Sequence, residues 1–193
     1  MRALVAVALG CLGITGGVAT SAYADARGWN VRVTTDPMTD RRRGIATVDS
    51  SAPAGVNTSN VPTSFIMRTT PARMHNSDRY TLIVKCDYTS QKVYIALMFP
   101  RGINMSSSTI THRFDRGAIS NAPWIESGGG SVILLDREWV SQFSKAASAA
   151  GRIAFRIEPL QAGYSSFTTS FPGAGSAAAI ARVYEACGQA LPR

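Results

Sequence analysis

Acid–base chemistry has few candidate residues in this chain of 193 residues, which contains only two histidines, His75 and His112. Asp115 follows His112 by three positions, and an imidazole that acts with a carboxylate can serve as a general base in a hydrolase. No Gly-x-Ser-x-Gly nucleophile motif accompanies the pair, and His75 stands in a polar turn. The sequence therefore favours a protein that is not an enzyme, with a cell-wall hydrolase using His112 and Asp115 as the least favoured alternative.

The usual sequence patterns of metal and cofactor sites are also absent from the chain. Neither Cys-x-x-Cys nor His-Glu-x-x-His occurs, and the glycines at 128–130 lack the lysine of a phosphate-binding loop. Asp36 and Asp40 flank a turn, but their spacing lacks the regular oxygen ladder of an EF-hand. Turn capping is favoured over calcium binding, and we expect no metal and no cofactor.

The chain also contains residues that could bind a partner. Arg41, Arg42 and Arg43 form the densest charge in a chain of net charge +8, and such a cluster can contact an acidic patch or an anionic polymer. A solvated edge of the fold is the simpler interpretation of the cluster. Trp124 is a candidate platform for a sugar ring, although the sequence favours a core position for it.

The N-terminus has the three parts of a secretory signal peptide. Arg2 precedes an apolar run at 3–14, and the Ala-Tyr-Ala at 22–24 matches the small-residue end of such a signal. We predict cleavage after Ala24, with a second candidate site after Ala26. The apolar run is shorter than a span of the roughly 30 Å hydrocarbon core requires, so we expect no transmembrane anchor after cleavage.

Residues 25–193 are accordingly predicted to form a single exported domain, periplasmic or secreted. The alanine-rich signal and the excess of arginine over lysine suggest a bacterial source, and export makes nucleic acid an unexpected partner. The length suits one domain with its own core. Residues 49–62 are rich in Ser, Pro, Gly, Asn and Thr, which predicts a flexible loop.

Hydrophobic periodicity predicts the elements of this domain. The strongest signal is a hairpin of strands at 80–86 and 93–99, in which apolar and polar residues alternate. Helical spacing predicts helices at 137–149 and 177–187, the second capped by Ser176. The remaining strands are predicted at 29–33, 45–48, 64–68, 109–114, 131–135, 152–158 and 164–171. The expected fold class is α+β, with a mainly antiparallel sheet or sandwich and two helices.

Two cysteines, Cys86 and Cys187, remain after signal cleavage. Cys11 is expected to leave with the signal, since it lacks the leucine that precedes a lipoprotein cysteine by three residues. Strand alternation turns Cys86 toward the core, and helical spacing turns Cys187 toward the core. Because cysteines of exported proteins usually pair, we predict a disulfide that ties the C-terminal helix to the sheet. Two separate buried thiols are the alternative.

Four groups of short segments follow one another along the chain: Trp29 with 36–40, 82–86 with 93–95, 112–115 with 124–127, and 171–173 with 179–180 and 186–188. In this order they resemble the exported accessory proteins of type VI secretion, the TagO/VasI kind. The resemblance spans nearly all of residues 25–193, and it implies a β-rich domain with a cysteine pair and no established catalytic residues. A looser likeness relates the chain to the invasion-associated locus B proteins, which are richer in cysteine.

These observations lead to one functional expectation and two alternatives. We expect a non-enzymatic periplasmic accessory or binding protein whose surfaces contact another protein of a cell-envelope or secretion assembly. The first alternative is a module that binds peptidoglycan or another anionic envelope polymer through Trp124 and the arginine cluster. The second is the hydrolase that would use His112 and Asp115.

Overall fold

The computed structural model describes residues 21–24, 28–36, 38–50, 79–87, 89–100, 108–127, 130–159 and 166–192. The predicted strand at 64–68 and residues 51–62 of the predicted loop lie outside these ranges. The strands are β1 (Ser21–Ala24), β2 (Asn30–Thr35), β3 (Arg42–Asp49), β4 (Thr81–Asp87), β5 (Lys92–Met98), β6 (Ser108–Phe114), β7 (Ile125–Glu126), β8 (Ser131–Leu134), β9 (Arg152–Pro159) and β10 (Phe167–Pro172). The helices are α1 (Arg137–Ala149) and α2 (Ser176–Ala186).

The described elements form two layers. One layer is a seven-stranded antiparallel sheet with the order β1-β2-β3-β4-β5-β8-β7. The other combines the three-stranded sheet β10-β9-β6 with α1 and α2, and the core cluster lies between the layers. The predicted α+β class, mainly antiparallel with two helices, is confirmed.

The hairpin of β4 and β5 is the centre of the larger sheet. Leu82, Val84 and Cys86 of β4 and Ile95 and Leu97 of β5 are fully buried, as strand alternation predicts. Cys86 is bonded to Cys187 directly after α2, with a Cα–Cα distance of 5.6 Å. The predicted disulfide between the sheet and the C-terminal helix region is therefore confirmed.

The edge strand β1 lies directly before the predicted signal-cleavage site. It pairs antiparallel with β2, and Ala24 stands opposite Asn30. Cleavage after Ala24 would remove β1 and leave β2 as the edge of the sheet.

Asp136 determines where α1 begins. Its carboxylate accepts hydrogen bonds of 3.0 Å from the backbone N–H groups of Glu138 and Trp139. These donors have no partner within the helix, so the cap stabilises the first turn. Val140 and Phe143 are buried, in agreement with the helical spacing of the sequence.

The start of α2 differs from the prediction that Ser176 caps it. Ser176 is the first residue of the helix, and the cap is Gly175, whose φ of 91° is a conformation that glycine adopts easily. The buried Ser176 hydroxyl donates instead to the carbonyl of Ala147 in the last turn of α1, at 2.6 Å. The prediction was wrong because the hydroxyl has a tertiary acceptor, and the bond joins the two helices.

Gly44 allows α2 to lie close against β3. A Cβ atom at residue 44 would be 2.9 Å from the Cβ of Ala186 and 3.0 Å from the Cα of Val183. We expect Gly44→Val to lower the free energy of unfolding by roughly 2 kcal/mol, because overpacking displaces the helix. Urea unfolding measures the change, and Thr47→Val on the other face of β3 is the matched control. Equal effects of the two substitutions would contradict this account.

Candidate functional site

The seven-stranded sheet has a second face turned away from the core, which we call the open face. Directly paired residues of antiparallel strands project from the same side of a sheet. The register therefore places Thr47, Ile83, Ala96, Ile133 and Ile125 in one row across β3, β4, β5, β8 and β7. Within the described ranges, no helix or strand packs on this face, since both helices and the smaller sheet lie on the core side.

The last four residues of this row form what we call the apolar stripe. Ile83 and Ile133 are half-buried, Ala96 between them is buried with an exposure of 7%, and Ile125 is 53% exposed at the edge. Isolated apolar residues are common on protein surfaces, whereas a contiguous patch usually marks a binding site. The stripe crosses four strands, and its most exposed member is Ile125 at the edge.

Positively charged side chains border the apolar stripe. The register aligns Arg32, Ile45, Lys85 and Tyr94 in the next row of the open face, and Arg43 stands two residues before Ile45 on β3. The Lys85 Nζ atom lies 5.4 Å from the centroid of the Tyr94 ring, which is a cation–π distance. We call Arg32, Arg43 and Lys85 the cationic border.

The cationic border is not neutralised by ion pairs within the part of the chain that the structure describes. The ion pairs there involve other arginines: Arg42 with Glu185 at 3.9 Å, Arg182 with Glu185 at 3.1 Å and Arg156 with Glu158 at 2.7 Å. The open face therefore carries apolar area beside the cationic border, and the Asp87 carboxylate interacts electrostatically with Lys85 of that border.

The sheet separates the three arginines that the sequence presents as one cluster. Arg41 donates a hydrogen bond of 3.2 Å to the carbonyl of Thr89, and Arg42 approaches Glu185 of α2. Arg43 lies on the open face, and its Nε is buried without a hydrogen-bond partner among the described residues. Sequence reasoning missed the other members of the cationic border, because cross-strand register and not chain proximity brings them together.

Trp124 belongs to an aromatic cluster in the other layer of the fold. Its ring centroid lies 5.5 Å from that of Phe155, 6.0 Å from that of His112 and 6.1 Å from that of Phe143. Trp124 is half-buried against the core, and its Nε1 is a buried donor without a partner among the described residues. This environment is that of a packed side chain and does not support a sugar platform.

His112 and Asp115 have separate environments. The His112 side chain is 4% exposed, and burial lowers its pKa to about 4. The Asp115 carboxylate accepts hydrogen bonds from the backbone N–H groups of Gly151 at 3.1 Å and Arg152 at 2.8 Å. Asp115 thus attaches the turn after β6 to the start of β9, an arrangement that does not support a catalytic pair.

The turn that contains Asp36 has the capping role that the sequence predicts. Its carboxylate accepts hydrogen bonds of 2.9 Å from the Met38 N–H and the Thr39 hydroxyl, and these bonds lower the pKa of Asp36. Over the described ranges, no group of three or more His, Cys, Asp and Glu side chains is placed to hold a metal ion. Among the same residues, no helix combines the length and apolar character of a membrane span.

The fold and the site define a two-layer α+β domain tied by a disulfide, with an apolar and cationic sheet face. No protein-family model matches the chain, and comparison with curated proteins and with solved structures also finds no match. The functional argument therefore depends on the residues of this chain.

Proposed function

We propose that this chain is a non-enzymatic accessory protein of the bacterial periplasm or cell exterior. It binds a protein of a cell-envelope or secretion-related assembly through the open face. The observation that carries the proposal is the apolar stripe beside the cationic border, whose side chains form no ion pair within 4 Å among the described residues. The predicted signal peptide, the disulfide and the resemblance to type VI secretion accessory proteins support an exported location.

The chemistry of the open face favours a protein partner over a cell-wall polymer. The apolar stripe gains free energy only when it is covered by another apolar surface, at about 25 cal/mol per Å² buried. Peptidoglycan is polar and lacks such a surface. The cationic border requires carboxylates beside the apolar contact, which would orient the partner and speed its association. The partner therefore presents apolar residues flanked by Asp or Glu.

A photocrosslinking amino acid at residue 133 tests the proposal in the exported protein. We expect it to capture a protein from envelope extracts, whereas the same amino acid at Ala149, exposed on α1, should not. With the captured protein purified, we expect Lys85→Glu to weaken binding roughly tenfold, and less so at high salt. Lys145→Glu, at an exposed position of α1, is the matched charge control and should leave affinity unchanged.

Reversal of an acidic residue of the captured protein to Lys should restore binding to Lys85→Glu. Equal crosslinking from residues 133 and 149, or unaltered affinity of Lys85→Glu, would contradict the proposal. Cosedimentation with purified peptidoglycan that Trp124→Ala abolishes would favour the cell-wall module instead. Peptidoglycan turnover that His112→Ala abolishes would favour the hydrolase.

A further inference from the structure

Strand β2 becomes an edge of the seven-stranded sheet when the predicted signal peptide is cleaved. In the full chain its outer side pairs with β1, from Ser21 opposite Val33 to Ala24 opposite Asn30. The two predicted cleavage sites, after Ala24 and after Ala26, both lie between β1 and β2, so either cut removes the paired strand. The backbone N–H and C=O groups of β2 that face β1 then lose their partners.

Contacts that do not involve β1 hold β2 in place. Its six residues pair with 42–47 of β3, and α2 packs on the same strand. Trp29, directly before β2, is 1% exposed, and its indole Nε1 donates a hydrogen bond of 3.0 Å to the carbonyl of Pro172 at the end of β10. The edge is therefore ordered before any partner arrives, which favours the docking of another strand.

The β2 edge lacks the features by which proteins usually prevent their edge strands from pairing. Natural edges are often very short, or they carry proline, bulges or several charges. β2 spans Asn30–Thr35 without proline or glycine, and Arg32 is its one charged side chain. The opposite edge of the same sheet, β7, is only two residues long. Of these two edges, β2 is the one that can pair with a strand over several residues.

Arg32 indicates which strand fits this edge. Its side chain is exposed, and it forms no ion pair within 4 Å among the described residues. An opposite charge on the directly paired residue stabilises a cross-strand pair, whereas a like charge destabilises it. β1 places the uncharged Ala22 opposite Arg32 and Tyr23 opposite the buried Val31. A strand with Asp or Glu opposite Arg32 should therefore pair better than the chain's own segment does.

A second copy of this chain fits the edge less well. Antiparallel pairing of two β2 strands about a two-fold axis would bring Arg32 of both copies onto neighbouring strands of the same face. The net charge of +8 falls only to +7 when Arg2 leaves with the signal, so two copies also repel each other as a whole. The charges favour an acidic partner over a second copy.

We propose that the β2 edge of the cleaved protein binds an extended segment of another protein as an added antiparallel strand. This segment carries Asp or Glu opposite Arg32 and an apolar residue opposite Val31. Backbone hydrogen bonds supply the affinity of such a strand, and the alternating side chains supply its specificity. The proposal rests on the predicted cleavage. It does not rest on the apolar stripe of the open face, so each proposal can fail without the other.

NMR titration of the exported protein, purified after cleavage, tests the proposal with synthetic peptides. The peptides have the sequence of residues 18–24, which includes β1, with Ala, Glu or Lys at the position of Ala22. We expect saturable shifts and slower hydrogen exchange at β2 amides, and roughly tenfold tighter binding of the Glu peptide than of the Lys peptide. Arg32→Glu should reverse this order, whereas Lys145→Glu, at an exposed position of α1, should keep it.

N-methylation of single peptide amides distinguishes strand addition from binding through side chains. Successive N–H groups of a strand point to opposite sides, so N-methylation should abolish binding at only one of the peptide positions 22 and 23. Equal effects at the two positions, or no saturable shift with any peptide, would overturn the proposal. Exported protein that retains residues 21–24 would also overturn it. A dimer whose β2 amides are protected without peptide would assign the edge to a second copy instead.

Discussion

Replacing Cys86 and Cys187 together by alanine is expected to lower the free energy of unfolding by roughly 4–5 kcal/mol. The bond joins residues 101 positions apart, and closing a loop of about 100 residues removes that much chain entropy from the unfolded state. Both side chains are buried, with exposures of 0% and 3%. Because both cysteines are replaced, no free thiol is left to react. Guanidinium unfolding at equilibrium measures the loss.

The disulfide variant is expected to keep its fold in the absence of denaturant. α2 still packs on β2, β3 and β4, and β4 is still paired on both sides, so the circular dichroism spectrum should not change. The unaltered protein after reduction is the control, and it should lose the same stability. A loss below about 1 kcal/mol in both samples would contradict the chain-entropy explanation. Lys85 of the cationic border is the residue before Cys86 on β4, so binding of the captured partner reports whether the open face is intact in the variant. Retained binding would show that the disulfide stabilises the fold and is not needed for binding.

Acidification from about pH 6.5 to pH 4 is expected to remove roughly 3 kcal/mol of stability through His112 alone. An unfolded histidine has a pKa of about 6.5, whereas burial lowers the pKa of His112 to about 4 in the folded state. Above pH 6.5 both states are neutral and the residue contributes nothing. Between the two values only the unfolded state takes up the proton, so stability falls with pH, and below pH 4 the loss stops growing.

Comparison with His112→Phe isolates this contribution. Urea unfolding between pH 8 and pH 4 should show a smaller decrease in the variant, because phenylalanine keeps an aromatic ring among Phe114, Phe143 and Phe155 without a titrating nitrogen. Parallel pH profiles of the two proteins, or an NMR titration midpoint of His112 near pH 6.5, would contradict the prediction.

Acidic residues with altered pKa values act outside this pH window. A hydrogen bond from the Met38 N–H to Asp36 and one from the Ser90 hydroxyl to Asp87 lower the pKa values of these carboxyl groups below the ordinary 3.8. A carboxylate with a lowered pKa stabilises the fold above pH 3.8, and this contribution disappears only as the pH falls further. Most of the loss expected from His112 therefore precedes the loss from these groups.

Most elements of the fold could be predicted from local sequence patterns. The α1 helix has its predicted bounds of 137–149, and the strands of the β4–β5 hairpin lie within one residue of their predicted bounds. Side chains repeat every 2 residues in strands and every 3.6 in helices, so the contrast between apolar and polar positions identifies the buried face of each element. The same periodicities turned Cys86 and Cys187 inward, which made their pairing predictable.

The candidate sites could be predicted only in part. Arg43 was a candidate from its charge, but Arg32 and Lys85 lie far apart in the chain and meet on either side of Ile45 through strand pairing. The β2 edge was not predictable as a site, because the strand order and not the local pattern shows that β1 covers it. Ser176 shows the same limit, because its hydroxyl donates to a carbonyl of another helix and does not cap its own helix.

The sequence by itself determined the α+β class, the helix positions and the inward faces, because each depends on neighbours within a few residues. It also determined the cysteine pair, because only two cysteines remain after the predicted cleavage and both lie on inward faces. Only the tertiary structure decided the order of the strands, the row that forms the apolar stripe, and the edge that β1 covers. These features depend on which segments pair and in which register. A shift of one residue in register would move the stripe to the other face of the sheet, and the pairing of distant strands is not specified by the local pattern within each strand.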